Sequence, residues 1–544
     1  MASDSAADSA EVEKLYELGE RLNETKDKSQ HASDYEGIIA SVKGRSVKAK
    51  QLAAQLIPRF FKFFPTLSSN ALTALFDLIE EDELGIRVQA IRGFPLVCKD
   101  SPACVSKIVD VLGQLLTSEE NVERDAVHRA LMSLLRQDAK VSLTALFKLF
   151  ENCMETEREK LIGFLKDKVF PLKAELLKPQ VEMERCVTDL VKKSLHDVTG
   201  AEFKLFMDFL KNFSIFGDGA PPENVQELVE IIEEQADLDA QFNVEDPDHI
   251  DRLISCMYMA LPIFMRGASS SKFLNYFSKH ISPVFDKLPE ERKLDLIKNL
   301  TGSSPYVTAQ DARQLLPSIV QTLKKYMPRR KNEDTNYNFV ECLLYTFHHL
   351  AYKTPNSTNS LCGYKIVTGQ PSDRLGEDFS DNYKDFTERL RITEELVKNA
   401  MKKLNQEMAD LKKAMSAAKT EESKTKLKIE EQKNANGLRM CNNILAMTQP
   451  LHAKAPSFIG GNKINLSWKE PVKQSPASPA IGGKRSAASV NDSSKKFIAN
   501  KKMRGGAMQS QLVNRALHDI SRGGRSSRRG GRGWRGRGRG VVYR

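Results

Sequence analysis

Tryptophan occurs only twice in the 544 residues, and the eight cysteines (98, 104, 153, 186, 256, 342, 362, 441) show no Cys-x-x-Cys spacing. Thiols scattered through apolar helical context read as reduced core residues of an intracellular protein without a zinc site. Long apolar runs are also missing. The longest, Cys256–Met265, is ten residues and contains Pro262; that is about half a membrane span, so it reads as a buried helix. The opening Met1-Ala-Ser-Asp-Ser-Ala-Ala-Asp8 has neither the basic nor the apolar region of a secretory signal. Nine histidines include no His-Glu-x-x-His, and no glycine-rich phosphate loop follows a strand pattern. His348 and His349 are adjacent on a helix, about 100° apart, and cannot both ligate one ion from one face. The acidic runs Glu80-Glu81-Asp82 and Glu233-Glu234 read as solvated helix ends. The sequence therefore predicts no enzyme, no metal and no cofactor.

Charge is present but unevenly placed. Residues 448–544 carry 21 Lys and Arg against 3 Asp and Glu, a net of +18, whereas residues 1–447 carry 61 against 68. A mildly acidic body with a strongly basic tail points to a tail for RNA or another polyanion, joined to a body with a different task.

The body repeats. Asp82–Pro95 holds a turn residue, Gly85, that breaks one helix, then Ile86, Ala90 and Phe94 on one face of the next. Lys50–Pro58 lies 37 residues upstream, with Ala53 matching Ala90 and Pro58 matching Pro95. Glu123–Leu131 and Arg158–Leu165 follow at 36 and 35 residues. Four copies at this period predict stacked helix hairpins of the HEAT or armadillo kind, with Arg87 part of a ladder between neighbouring hairpins. The fold class is all-α: a HEAT/armadillo-like helical-repeat solenoid with a C-terminal helical hairpin and a disordered basic tail.

In order, residues 1–10 read as disordered and Glu11–Lys28 as a capping helix. HEAT-like repeats occupy 11–195 and armadillo-like repeats 196–355. Phe203, Phe206, Phe209 and Phe213 form a core stripe. Asp246-Pro-Asp248 caps a helix, and further helices are expected at Pro289–Leu300, Ala309–Met327 and Asn338–Tyr352. A linker covers 356–381. The hairpin, 382–447, carries Leu390, Val397, Leu404 and Leu411 spaced by seven, with Met401, Met408 and Met415 four after the last three, a coiled-coil seam interrupted by Glu394. It is a zipper-like surface for a partner or, favoured here, an intramolecular antiparallel hairpin; the methionines leave it adaptable enough for both in turn.

Residues 448–544 read as a disordered tail, except that Trp468, in Leu466-Ser-Trp-Lys469, is expected to dock on a folded surface. Lys484, Arg485, Lys495, Lys496, Lys501, Lys502 and Arg504 form basic clusters suited to nuclear import. Arg522, Arg525, Arg528, Arg529, Arg532, Arg535, Arg537 and Arg539 alternate with glycine around Trp534. Such a segment follows a phosphate backbone and stacks on bases, predicting salt-sensitive, weakly selective RNA binding.

Gln51–Pro65, Asp197–Phe203, Glu234–Leu238, Val340–His348, Leu466–Lys469 and the Gly/Arg tail together resemble the apoptosis inhibitor 5 family, in a divergent, non-animal form. The family's leucine heptad falls on Leu390, Val397 and Leu404, with valine at its centre. The resemblance implies a HEAT-like first half, an armadillo-like second half and a nuclear, non-enzymatic protein. It also implies restraint of programmed cell death through protein partners, and links to RNA-processing factors, with DEAD-box helicases a candidate class. An RNA-binding adaptor in nuclear mRNA metabolism or export, acting through the tail, is the alternative.

Overall fold

The computed structural model describes residues 2–364, 381–417, 420–453, 455–460 and 464–470. The chain divides into two compact units, Met1–Pro221 and Pro222–Arg544. Among the described residues every regular element is a helix.

The first unit runs α1 (Ala2–Glu24), α2 (Ala32–Ala40), α3 (Val47–Phe60), α4 (Ser68–Ile79), α5 (Leu84–Asp100), α6 (Val105–Gln114), α7 (Asn121–Gln137), α8 (Ala139–Asn152), α9 (Glu155–Phe164), α10 (Lys173–Leu176), α11 (Gln180–Ser194) and α12 (Gly200–Leu210). Helices pack on the next but one: α1 on α3, α3 on α5, α5 on α7, α6 on α8. Stacked hairpins do this because one amphipathic pair leaves an apolar face that only the following pair can cover. The four sequence repeats are α3, α5, α7 and α9, and Ile86, Ala90 and Phe94 are fully buried on one face of α5. Pro58 and Pro95 both lie inside their helices. A Cβ on Gly93 would fall 2.5 Å from the Pro58 ring, so glycine lets α5 close onto α3 at that proline. Gly85 is not the helix break expected of it. It sits in the first turn of α5, and Glu80–Glu83 make the turn.

The ladder is ionic. Lys50 meets Glu81 at 2.5 Å, Arg87 pairs with both oxygens of Glu123 at 2.9 and 3.2 Å, and Arg158 lies 3.2 Å from Glu202. Arg87 also donates to the carbonyls of Glu81 and Asp82, which follow the end of α4, so one side chain closes a turn and ties α5 to α7. Thr199 and Glu202 form a reciprocal capping box at the start of α12. The Phe203–Phe213 stripe is core: Phe206 packs edge-on to Phe150, and Phe209 stacks on Phe170. Through these rings α12, assigned by sequence to the second array, joins the first unit.

The second unit runs α13 (Pro222–Gln235), α14 (Pro247–Phe264), α15 (Ser271–Tyr276), α16 (Glu290–Ser303), α17 (Ala309–Tyr326), α18 (Tyr337–Lys353), α19 (Pro355–Cys362), α20 (Asp381–Ala417) and α21 (Glu421–Thr448). One layer packs α14 on α16, α16 on α18 and α18 on α21; the other places α15, α19 and α18 around α17. Asp246 caps α14 by accepting from the His249 amide. Arg292 and Asp251 pair bidentately between α16 and α14 at 2.8 Å.

Four further expectations change. α1 starts at Ala2, ahead of Glu11. The linker placed at 356–381 opens as α19, which buries Thr358 and Cys362. Glu233 is buried rather than solvated, because α13 turns it inward with Val229 and Ile232; burial pushes its carboxyl up to about 7. Order also extends past residue 448 before the expected contact at Leu466–Lys469, since Leu451 is buried against the unit.

Arg87→Met removes the cation from Glu123, which is 4% exposed. Stranding a buried carboxylate should cost about 2–3 kcal/mol, and Arg87→Met with Glu123→Leu should restore most of it. Urea unfolding checks both; a single variant as stable as wild type would remove the ladder from the stability of the first unit.

Candidate interaction surface

α18 is the most enclosed helix of the second unit. Every residue from Phe339 to Ala351 is buried. Helices α16, α17 and α21 pack on it, and residues 458–469 supply further cover. Phe458 meets the Phe347 ring edge-on at 6.0 Å, and Gly460 lies flat on Tyr352, where a Cβ would fall 2.4 Å from the ring.

Two buried polar groups of α18 hold this cover. Glu341 accepts from the Ser467 amide at 2.9 Å, the Ser467 hydroxyl at 2.5 Å and Asn443 of α21 at 2.7 Å. His348 Nε2 lies 2.7 Å from the Met447 carbonyl, and its Nδ1 accepts from the Ile459 amide at 3.2 Å. That pattern requires a neutral ring with its proton on Nε2. Burial pushes His348 down to about 4 against the opposing bond to Met447. Burial, then Lys353, brings His349 down to about 4 as well.

The hairpin of α20 and α21 is anchored at its base and open beyond. Arg389 donates to Asp385 and to the carbonyls of Lys324 and Met327 at the end of α17. Of the expected seam, Leu390 and Val397 are fully buried and pack within the chain. Glu394, which interrupts the heptads, meets His452 at 2.9 Å. From Met401 outward burial changes: Met401, Leu404, Met408, Leu411 and Met415 are all half-buried. Leu404 rests on Gly437 of α21, 3.2 Å from where a Cβ would be, and Glu407 meets Asn434. At 1.5 Å per residue the 37 residues of α20 span about 55 Å, so its outer half is a two-helix arm with an apolar seam only part covered.

The import residues Lys484, Arg485, Lys495, Lys496, Lys501, Lys502 and Arg504, and the tail residues Arg522, Arg525, Arg528, Arg529, Arg532, Trp534, Arg535, Arg537 and Arg539, lie outside the described residues. Sequence reasoning missed Glu341, Asn443 and Arg439. The available signal was a lone glutamate in the otherwise apolar run Phe339–Leu344, a position that only a buried partner explains. No group of three or more His, Cys, Asp or Glu among the described residues is placed to hold a metal, and no described helix is long and apolar enough to cross a membrane.

The apoptosis inhibitory protein 5 family matches residues 12–541. The apoptosis inhibitor 5-like protein of Oryza sativa subsp. japonica is 69% identical over 524 residues, covering 96% of each chain. Apoptosis inhibitor 5 of Homo sapiens is 33% identical over 502 residues, covering 89% of this chain and 88% of its own. Among solved structures, the RNA polymerase I transcription initiation factor Rrn3 aligns with 81% of this chain and 94% of its own at 12% identity and a TM-score of 0.27, a likeness too low to carry an argument.

A neutral His348 has a pH signature. An unfolded histidine titrates near 6.5, so the stability its burial contributes is complete above that value and falls as pH drops from about 6.5 toward 4. Glu233 acts with the opposite sign over part of this range, so the informative quantity is a difference. The stability gap between wild type and His348→Gln should narrow by on the order of 1–2 kcal/mol from pH 7 to pH 5. A constant gap in denaturant titrations would show that the ring is not held neutral.

Proposed function

The chain belongs to the apoptosis inhibitory protein 5 family, and from that membership we propose that it restrains programmed cell death as a nuclear, non-enzymatic scaffold. On this reading it works through protein partners joined to RNA-processing factors, with DEAD-box helicases a candidate class. The observation that carries the scaffold reading is the change of burial along α20. Leu390 and Val397 are sealed, whereas Met401, Leu404, Met408 and Leu411 stay partly exposed on an arm packed against α21. Residues at heptad spacing on a two-helix arm fit a third amphipathic helix, and the methionines suit partners of differing shape.

In cells lacking the endogenous protein, full-length chain carrying Leu404→Glu and Leu411→Glu should lose most of its protection against a death stimulus. Melting should shift by no more than about 4 °C, because both residues are already partly exposed. Full protection by this variant would sink the arm as the working surface.

The second reading is an RNA-binding adaptor in nuclear mRNA metabolism or export. It is favoured by the net +18 of residues 448–544 and the Arg/Gly spacing of 522–539. Crosslinking to polyadenylated RNA should fall several-fold when those arginines become lysines, which keep charge but lose the planar stacking group. An unchanged yield would reject specific use of the arginines.

A further inference from the structure

Residues 464–469 are held on α18 and α21 as a bound peptide is held. Leu466 is 1% exposed, and the Lys469 amide donates to the Leu466 carbonyl at 3.1 Å, closing a tight turn. The surrounding helices satisfy the turn's backbone group by group. The Ser467 amide goes to Glu341. The Ser467 carbonyl accepts from Arg439, and the Lys469 carbonyl accepts from the same guanidinium at 2.9 Å. The Asn465 carbonyl accepts from Asn443 at 2.9 Å. Arg439 and Asn443 stand one turn apart on α21, so one helix face reads three carbonyls while α18 reads the amide and hydroxyl of one serine. Besides the burial of Leu466, side chains at fixed positions hold the segment, which is how peptide grooves recognise ligands.

The fit is incomplete. Arg439 Nε is buried without a hydrogen-bond partner, and the buried Trp468 Nε1 has no oxygen or nitrogen acceptor; it meets the Cys342 thiol, a weak acceptor. A ligand that brought an oxygen to either donor would gain on the order of tenfold in affinity.

We propose that the α18–α21 groove is a peptide-recognition site for turn-forming Leu-Ser-Trp segments of another protein, and that residues 464–469 are its built-in competitor. The groove reads an aliphatic residue, a small hydroxyl residue against Glu341, an aromatic residue, and three carbonyls at alternate residues. The site is separate from the arm and does not depend on the arm's role.

The test uses full-length chain and a fluorescent peptide of residues 464–470 in polarisation titrations. A chain carrying Leu466→Ala, Ser467→Ala and Trp468→Ala should bind the peptide at least tenfold more tightly than wild type, whose groove is already filled. Adding Arg439→Ala to that chain should remove at least tenfold of the binding, and Ser467→Glu in the peptide should abolish it. Full-length Ser467→Glu, which sets a carboxylate against Glu341 while keeping the apolar side chains, provides a second opened chain, and thermal melting shows which variants remain folded. Equal weak binding by wild type and both folded, opened chains would overturn the proposal, as would binding indifferent to Arg439. Loss of folding in both opened chains would make the segment a structural strap and end the proposal too. A wild-type dimer that Trp468→Ala dissociates would place a second copy's segment in the groove and overturn the assignment to another protein.

Discussion

A helix that is apolar on every face must be covered on every face, and α18 imposes that condition on the second unit. Thirteen consecutive buried residues exceed what two neighbouring helices of a repeat can enclose. α16 and α17 supply the repeat contacts, α21 returns from the hairpin to supply another, and the segment that follows α21 contributes Phe458 and Leu466. The hairpin is thus part of the core at one end and a free arm at the other. The base of α20 is fixed because Arg389 takes up carbonyls that the end of α17 leaves without helical partners. Its outer half has no such obligation, which is why the two halves of one heptad pattern differ so much in burial.

Buried carboxylates recur as fasteners. Glu123 takes the Ser118 hydroxyl and Arg87; Glu184 takes the Ser214 hydroxyl and the Ile215 amide; Glu341 takes the hydroxyl and amide of Ser467. Each ties a segment outside the α-helices to an α-helix by accepting from that segment's donors. Hydrophobic burial is indifferent to register, whereas these pairs are not, so they determine where each connection crosses.

The fold was legible where information is local. The face of α5 made by Ile86, Ala90 and Phe94, the heptads of α20 and the cap at Asp246 each depend on residues within two or three turns, and the repeat period carries the stacking of one hairpin on the next. What could not be read was long-range polar pairing. Glu341 finds Ser467 across 126 residues, and His348 finds Met447 across 99; no spacing rule links such positions. Gly85 shows a subtler limit. A glycine near a helix start reads as a break, but its neighbour here is Gln51 of α3, which only tertiary packing reveals. Trp468 was singled out by its isolation in a polar stretch, while the three side chains that hold its turn were invisible until α18 and α21 came together.

The turn at 466–469 is joined to its groove by a short connection from Leu451. A ligand on a tether of about a dozen residues faces its site at an effective concentration on the order of millimolar. A free competitor of micromolar affinity, present at micromolar concentration, therefore leaves the groove closed. A competitor that is itself held on the same molecule, at the arm or through the basic tail, meets the groove at comparable local concentration and can exchange. Short tethering thus makes the groove respond to two simultaneous attachments and ignore one.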